Sequence, residues 1–127
     1  MEQTALTVSL FTQNVAETLN FYVDQLGFRH TGSWTEGDEP PVWAEVSRDG
    51  PKGAARIWFF SDPLQGYDRP AFSGVIYLFV DHVDDEANRL GSKRVDVLWG
   101  PEDQAYGLRE LGIRDPNGYL ICFAEAI

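Results

Sequence analysis

The sequence lacks the features that mark several large classes of protein. Its 127 residues include one cysteine, Cys122, which excludes an internal disulfide. This cysteine lies among Leu120, Ile121 and Phe123, where we expect a buried thiol that packs as a small hydrophobe. No run of about 18 apolar residues is present, which argues against a membrane span. Residues 1–4 contain no basic segment followed by an apolar one, so we expect a cytoplasmic protein.

Basic residues are also scarce. Ten lysines and arginines stand against twenty aspartates and glutamates, which gives a net charge of −10. A surface of this sign repels phosphate backbones, so we do not expect nucleic acid as a partner. The same charge keeps a protein soluble and can also attract a cationic ligand, and solubility is the interpretation that the composition favours.

Familiar catalytic motifs are missing as well. The sequence has no Gly-x-Ser-x-Gly elbow, no phosphate-binding loop and no paired-cysteine motif. The supply of candidate nucleophiles is therefore small.

What the sequence does contain is an internal repeat with an offset of 68 residues. The identical pairs at this offset are Leu10 and Leu78, Phe11 and Phe79, Val15 and Val83, and Asn20 and Asn88. Two copies at this spacing predict one domain made of two similar units with a cleft between them. We expect the function to reside in that cleft.

Each half is predicted to have the order β-α-β-β-β. In the first half the residue patterns predict a strand at 6–10, a helix at 15–26, and strands at 28–34, 42–48 and 55–60. In the second half they predict a strand at 74–80, a helix at 83–90, and strands at 95–99, 106–114 and 119–125. The prediction is a single α+β domain, 1–127, with repeat units at about 4–62 and 73–127 and a connection at about 63–72. Its two repeats form a curved mixed sheet around a groove, with both helices on the outer face.

Local signals support two of these boundaries. Asn14 can cap the first helix, with Glu17 three residues later, and Gly27 is suited to end that helix. The string Asp115-Pro116-Asn117-Gly118 predicts a tight turn between the last two strands.

Three short segments resemble those of the vicinal oxygen chelate superfamily. They are Phe21-Tyr22, Leu26-Gly27-Phe28 and Asp115-Pro116-Asn117-Gly118. The superfamily includes glyoxalases, extradiol dioxygenases, fosfomycin-modifying enzymes and bleomycin resistance proteins. The resemblance covers essentially the whole chain and implies the same duplicated order of elements. It also implies a homodimer, because family members usually complete their grooves with a second subunit.

The resemblance further assigns four positions to a metal site, which the family's metal enzymes fill with histidine and glutamate. In this sequence those positions hold Thr7, Trp58, Val75 and Cys122. A divalent metal needs imidazole nitrogens or carboxylate oxygens in a fixed geometry, and three of these side chains supply neither. We do not expect His30 or His82 to act as ligands, because no second ligand stands at a suitable spacing. The prediction is a protein with no metal and no other cofactor.

Aromatic side chains are predicted to line the groove instead. Strand alternation directs Trp58 and Phe60 of the first half and Val75, Tyr77 and Phe79 of the second half into the groove, with Trp99 and Tyr106 on nearby strands and Trp34 and Trp43 at the rim. Tyr77, Tyr106, Glu45 and Glu110 would supply the polar groups of a small-molecule pocket. The rings could equally fill a core or a subunit interface, since aromatic residues serve both roles.

Glu110 has two interpretations. It alternates with Arg109 along a strand, so the two side chains point to opposite faces. In an apolar groove the carboxyl group would have a raised pKa and could act as a general base. The alternative, which is the more common arrangement, is an ordinary salt-bridged glutamate.

These observations favour a metal-free binding protein of the bleomycin-resistance type. It would sequester an aromatic ligand, one that can also be cationic, without turnover. The predicted ligand-binding residues are Trp43, Trp58, Phe60, Tyr77, Trp99, Tyr106 and Glu110. The alternatives are a glyoxalase- or dioxygenase-like enzyme with relocated metal ligands or with Glu45 or Glu110 as base, and a module that acts through its partner surface.

Overall fold

A computed structural model describes residues 3–35, 37, 39–62 and 68–127. The chain divides into two compact units. Unit 1 consists of Met1–Asp49 and Ala54–Phe72, and unit 2 of Gly50–Gly53 and Ser73–Ile127. The predicted connection at 63–72 falls partly on 63–67, which lies outside the described residues, and the single-domain assignment stays a prediction.

Unit 1 contains one helix and four strands in the predicted order. They are β1 (Val8–Phe11), α1 (Val15–Asp24), β2 (Arg29–Trp34), β3 (Trp43–Gly50) and β4 (Gly53–Phe60). The strands form a sheet in the order β1-β4-β3-β2, in which β1 and β4 are parallel and β2 and β3 antiparallel. This is a mixed sheet.

The ends of α1 follow the local signals. The side-chain oxygen of Asn14 accepts a hydrogen bond from the backbone N–H of Glu17 at 2.9 Å, as the capping pattern predicts. The helix ends at Asp24, and Gly27 adopts a φ of 75° just beyond it, a conformation that favours glycine.

The core of unit 1 lies between α1 and its sheet. Tyr22 of α1 is fully buried and its ring centroid lies 4.8 Å from that of Phe59 on β4. The other buried apolar residues of this core include Val15, Leu26, Phe28, Ala44, Val46 and Ile57. On β3 and β4, alternate residues therefore face the helix, and the residues between them form the opposite face of the sheet.

Unit 2 repeats the arrangement. Its elements are β5 (Val75–Phe79), α2 (Val83–Leu90), β6 (Asp96–Asp103), β7 (Leu108–Arg114) and β8 (Leu120–Ala126). The sheet order is β5-β8-β7-β6, with β5 and β8 parallel and the other two pairings antiparallel. The two β-α-β-β-β repeats confirm the predicted α+β fold.

Strand β6 is longer than predicted. The sequence suggested an end at Trp99, because Gly100 and Pro101 follow, yet the strand continues through both to Asp103 with irregular pairing to β7 between Trp99 and Glu102. Gly100 has a φ of 82°, and a Cβ there would lie only 2.0 Å from the carbonyl oxygen of Glu110. Glycine at this position thus lets an irregular strand stay hydrogen-bonded.

The remaining boundaries of unit 2 are set by acidic side chains. Asp115, which is buried, accepts hydrogen bonds from the backbone N–H groups of Asn117 at 2.8 Å and Tyr119 at 2.9 Å, and so fixes the predicted turn between β7 and β8. The first N–H of α2, that of Val83, donates to Glu125 of β8 at 2.9 Å. The cap of α2 therefore comes from a strand about 40 residues away in sequence.

Strand β5 has the predicted alternation. Leu78 and Val80 are buried, whereas Val75, Tyr77 and Phe79 are exposed. One face of this strand is thus an exposed apolar surface, on which the rings of Tyr77 and Phe79 stack with centroids 6.4 Å apart. No helix in the described part of the chain is long and apolar enough to span a bilayer.

Candidate functional site

Each unit buries a glutamate on its third strand. Glu45 of β3 is 1% exposed and Glu110 of β7 is 2% exposed. An ionised carboxylate is costly to bury unless hydrogen bonds or an opposite charge replace its water shell. The groups around these two side chains therefore define the polar centres of the two units.

In unit 2, three aromatic side chains donate to the carboxylate of Glu110. The hydroxyl groups of Tyr106 and Tyr77 reach Oε2 at 2.5 Å and 3.0 Å, and the indole N–H of Trp99 reaches Oε1 at 3.2 Å. These donors come from β5, from β6 and from the turn before β7. We call Glu110 with Tyr77, Trp99 and Tyr106 the Glu110 cluster.

Glycine at position 112 shapes this cluster. A Cβ at Gly112 would lie 2.3 Å from the ring of Trp99, so the indole packs directly on the backbone of β7. The register pairs Trp99 with Gly112 across the two strands. Because of this close approach, the indole N–H reaches the carboxylate of Glu110 two residues away.

Hydrogen bonding keeps Glu110 ionised. Burial alone would raise the pKa of its carboxyl group, but the donors Tyr106, Tyr77 and Trp99 outweigh it and leave the pKa below its usual range. The same interactions raise the pKa of Tyr106, chiefly through its hydrogen bond to Glu110. Of the two interpretations of Glu110, the less common one, a raised pKa and hence a general base, is wrong because every donor stabilises the charged form.

Cys122 of β8 completes the surroundings of this carboxylate. Burial and the nearby charge of Glu110 raise the pKa of the thiol to about 12. It is therefore a neutral thiol near pH 7, in agreement with the predicted structural cysteine.

In unit 1, the carboxylate of Glu45 has a cationic partner. Arg56 of β4 donates to Oε1 at 3.3 Å, and both side chains are largely buried. The Thr31 hydroxyl also donates to Oε1 at 2.7 Å, and the Trp58 indole N–H donates to Oε2 at 2.8 Å. We call Glu45 with Thr31, Arg56 and Trp58 the Glu45 cluster.

The pKa of Glu45 is shifted in the same direction as the pKa of Glu110. Burial raises the pKa of the carboxyl group, while the hydrogen bonds from Thr31 and Trp58 and the positive charge of Arg56 lower it, and the net pKa lies below its usual range. A carboxylate with a lowered pKa and three donors is a poor general base near pH 7. Neither cluster therefore supports the alternative in which a glutamate acts as base.

Other predicted ligand-binding residues are distributed over the two units. In unit 1, Trp43 packs edge-on against Trp58 with centroids 5.4 Å apart, and the half-buried Phe60 packs edge-on against Phe11 at 5.7 Å. In unit 2, Tyr106 is 64% exposed and lies in the turn before β7, not on the predicted strand, because Gly107 closes that turn with a φ of 91°. Ligand contact by these residues stays a prediction.

The charged residue next to Glu110 lies on the other face, as predicted. Arg109 donates to Asp84 at 3.0 Å and to Asp103 at 2.8 Å. The salt bridges of the described residues include one to Glu45, from Arg56, and none to Glu110. The salt-bridged interpretation of Glu110 is therefore wrong for the described residues, and the buried glutamate with an ion pair is Glu45, for which none was predicted.

The four positions that the resemblance assigns to a metal do not fit one. Trp58 donates its N–H to Glu45, Val75 has no ligand atom, and the thiol of Cys122 is held protonated. Thr7 offers only a hydroxyl group. Within the described residues, no three histidine, cysteine, aspartate or glutamate side chains are grouped closely enough to hold a metal ion.

Three residues near Glu45 were missed by the sequence reasoning. Thr31 and Arg56 donate to its carboxylate, and Ser47 lies two residues further along the same face of β3. Alternation along β3 and β4 would have placed Ser47 and Arg56 on the face of Glu45 and Trp58. Thr31 could not be found in this way, because the pairing of β2 with β3 shifts between His30 and Gly32.

Comparison with known proteins identifies the family of this chain. A sequence model of the Glyoxalase/Bleomycin resistance protein/Dioxygenase superfamily matches residues 4–123, and the chain belongs to that superfamily. The predicted resemblance is thereby confirmed. No curated protein matches the sequence.

Solved structures share the fold at low identity. TioX from Micromonospora sp. ML1 has a TM-score of 0.72 and 20% identity, with 98% of this chain and 97% of TioX covered. TnmS3, an antibiotic binding protein from Streptomyces sp. CB03234, has a TM-score of 0.74 and 22% identity, with 98% and 100% covered. A superfamily member from Sphaerobacter thermophilus DSM 20745 has a TM-score of 0.77 and 19% identity, with 98% of each chain covered.

Proposed function

We propose that this protein binds a small aromatic, cationic molecule without transforming it, in the manner of the antibiotic-binding members of its superfamily. The proposed contact residues are Trp43, Trp58 and Phe60 of unit 1 and Tyr77, Trp99, Tyr106 and Glu110 of unit 2. The observation that carries the proposal is the Glu110 cluster, in which an ionised carboxylate is held by aromatic side chains and has no ion pair among the described residues.

The electrostatics of this cluster suit a cation. The faces of tyrosine and tryptophan rings attract positive charge, and the buried carboxylate adds a full negative charge that neutral donors only partly offset. Tyr77, Phe79 and Tyr106 leave large parts of their rings exposed. A planar cation could therefore contact ring surface and approach Glu110 at the same time.

The similarity to TnmS3 supports a binding role. That protein is an antibiotic binding protein whose fold covers 98% of this chain, and at 22% identity the fold is shared but the ligand is not implied. Binding of this kind would lower the free ligand concentration in proportion to protein concentration. The proposal includes a homodimer in the cytoplasm, as expected from the sequence and the resemblance.

Isothermal titration tests the proposal. A bleomycin-type drug and a panel of planar aromatic cations would be titrated into the protein, alongside neutral molecules of the same shape. We expect at least one cation to bind with a Kd of about 10 μM or tighter, and its neutral analogue to bind about tenfold more weakly.

Two variants localise the binding. Glu110→Gln should weaken cation binding about tenfold and bring the cation and its neutral analogue to similar affinities. Glu102→Gln is the matched control, because Glu102 pairs with Glu110 in register but is exposed and bonds only to Gln104 among the described residues. Circular dichroism would verify that both variants fold.

Two results would contradict the proposal. One is the absence of heat for every compound of the panel at protein concentrations of tens of micromolar, roughly a Kd above 1 mM. The other is near-stoichiometric zinc, nickel, manganese or iron in protein purified without chelator, which would favour the enzyme alternative.

A further inference from the structure

Unit 1 contains a cavity of about 430 Å³ that the sequence did not predict. It is lined by Arg29, Thr31, Gly32, Ser33, Trp43, Glu45, Ser47 and Arg56. We propose that this cavity binds the carboxylate group of a small aromatic acid, held by Arg29 and Ser47 with its ring beside Trp43. The inference rests on the proposed function only in treating the protein as a small-molecule binder. The cavity shares Trp43 with the proposed contact residues but contains no residue of the Glu110 cluster.

The lining of the cavity is positively charged in a strongly acidic protein. It contains two arginines and one glutamate, whereas the whole chain carries a net charge of −10. Glu45 is matched by Arg56 at 3.3 Å, and Arg29 is paired with Asp49, which does not line the cavity, at 3.2 Å. A ligand that displaces the exposed Asp49 meets the positive charge of Arg29, which favours an anionic group over a cation.

Arg29 is able to exchange its present partner for a ligand. Its NH1 lies 3.2 Å from Asp49, and the two side chains are 58% and 75% exposed. Exposed ion pairs of this kind contribute little to stability, so their loss costs little. A guanidinium can also accept a carboxylate in a bidentate arrangement, which adds geometric specificity.

Ser47 supplies the second donor. Its side chain is completely buried, and its hydroxyl group has no hydrogen-bond partner in the described structure. A buried hydroxyl without a partner is unfavourable, and a ligand that accepts a hydrogen bond from it would remove this cost.

The strand register brings these two donors together. Arg29 of β2 and Ser47 of β3 are direct cross-strand partners, so their side chains leave the sheet on the same face. One carboxylate can therefore meet both groups.

The wall of the cavity favours a planar ligand body. Gly32 lies opposite Glu45 in the register, and a Cβ at Gly32 would lie 3.3 Å from the ring of Trp43. Glycine at this position leaves the indole ring and the cavity beside it uncovered. The volume of about 430 Å³ lies in the range of small-molecule sites, and the ring offers a stacking surface for an aromatic acid.

Titration with 1-naphthoate tests the inference. The full chain would be titrated with 1-naphthoate, with its neutral analogue 1-naphthamide, and with inorganic phosphate, and the indole N–H signals would be followed by NMR. We expect naphthoate to bind about tenfold more tightly than the amide and to shift the Trp43 indole signal, which Trp43→Phe would assign.

Variants of the two donors sharpen the test. Ser47→Ala and Arg29→Gln should each weaken naphthoate binding about tenfold and should weaken amide binding less, because a neutral carbonyl oxygen accepts weaker hydrogen bonds from the same donors. Arg114→Gln is the matched control, since Arg114 also forms an exposed ion pair, with Asp96 at 3.6 Å, but does not line the cavity. That variant should bind naphthoate like the unchanged protein.

The inference would be overturned by equal binding of naphthoate and the amide, by no binding of either at millimolar concentration, or by retention of affinity in both donor variants. If phosphate competed as strongly as naphthoate, the cavity would be a general anion site and the proposed carboxylate site would be wrong. The Glu110→Gln variant separates the two proposals, because it should weaken cation binding and leave naphthoate binding intact.

Discussion

Glu45 and Glu110 occupy the third strand of their respective units and are both buried, yet they are stabilised by different groups. Glu45 is held by a guanidinium, a hydroxyl and an indole, whereas Glu110 is held by two phenols and an indole. The indoles come from different strands, since Trp58 lies on β4 and Trp99 on β6. Unit 1 thus neutralises its buried charge internally, and unit 2 retains it.

Under the two proposals above, the two units would have different binding preferences. In unit 1 the carboxylate of Glu45 is neutralised, which leaves Arg29 as the charged group and Ser47 as the neutral donor of the proposed anion site. A carboxylate held by neutral donors keeps its negative field among exposed aromatic rings. If both proposals hold, one duplicated arrangement of strands presents an anion-binding and a cation-binding surface.

The largest expected effect on stability comes from removing Arg56, the cation by which the Glu45 cluster differs from the Glu110 cluster. Arg56→Met leaves Glu45 with neutral donors, as in unit 2, but without the phenols that make those donors sufficient. We expect a loss of about 3–5 kcal/mol in the free energy of unfolding, since a buried charge loses its partner. Urea denaturation measures it.

The exposed arginine of the same unit is the control for that variant. Arg29→Met breaks only the exposed pair with Asp49 and should change stability by about 1 kcal/mol or less. If Arg56→Met lowered the free energy of unfolding by only this much, the ion pair would not be needed to keep the charge of Glu45 buried.

The next effect concerns the glycines against which the indoles pack. Gly112→Ala places a methyl group 2.3 Å from the Trp99 ring and should displace the indole from Glu110, at a cost of about 1–3 kcal/mol. Gly32→Ala places its methyl 3.3 Å from Trp43 and should cost less. Thermal unfolding measures the loss of stability in each variant, and the indole N–H chemical shifts show whether the ring has moved. Equal losses of stability at the two positions would contradict the conclusion that Trp99 packs more closely on its glycine than Trp43 does.

The third prediction concerns pH. Both glutamates have folded pKa values below the ordinary value of about 4.3, so they stabilise the fold above that pH and lose this contribution as the pH falls through their folded pKa values. Glu110→Gln should lower the free energy of unfolding by about 2 kcal/mol at pH 7, because charge-assisted hydrogen bonds are lost. The deficit should shrink as the pH falls through the folded pKa of Glu110, which lies below the ordinary carboxyl value.

Urea titrations from pH 3 to pH 7 measure this dependence. Glu102→Gln, which removes an exposed carboxylate of the adjacent strand, should show almost no deficit at any pH. A deficit for Glu110→Gln that stayed constant with pH would mean that the carboxyl group is neutral in the folded protein.

The smallest effect comes from removing one indole donor at a time. Trp99→Phe and Trp58→Phe should each lower the free energy of unfolding by about 1 kcal/mol more than the smaller ring alone would. Trp99→Phe should also raise the pKa of Glu110, and Trp58→Phe that of Glu45, because each carboxylate loses a donor. We expect the larger pKa rise at Glu110, because Glu45 keeps the charge of Arg56. NMR titration of the two carboxyl carbons compares them directly, and a larger rise at Glu45 would reverse the comparison.

Much of the fold could be predicted because its signals are local. The alternation along β5, the cap by Asn14 and the turn at Asp115 each depend on residues close together in sequence, and the structure contains all three. Errors arose where tertiary contacts overrode local chemistry. Strand β6 continues past Gly100 and Pro101 because its pairing with β7 resumes beyond them.

The candidate site was predicted less well. The 68-residue offset matches Glu45 to Ile113, which lies on β7 three residues beyond Glu110, so the repeat matched the two strands but not the two glutamates. The sequence named both glutamates and most of the aromatic residues, but it did not connect them, and neither interpretation of Glu110, a salt bridge or a raised pKa, matches its surroundings. Partners such as Tyr77 and Glu110 are 33 residues apart and meet only through sheet order.

The sequence by itself determined the duplicated α+β order, the buried and exposed faces of the strands and the unsuitability of the metal positions, because periodicity and side-chain chemistry are properties of neighbouring residues. Only the tertiary structure decided which donors surround each buried carboxylate, that Glu125 caps α2, and that Ser47 lies beside Arg29 over a cavity. These contacts depend on strand register between distant segments, and hydrogen bonding distinguishes donors by fractions of an ångström that no local pattern specifies.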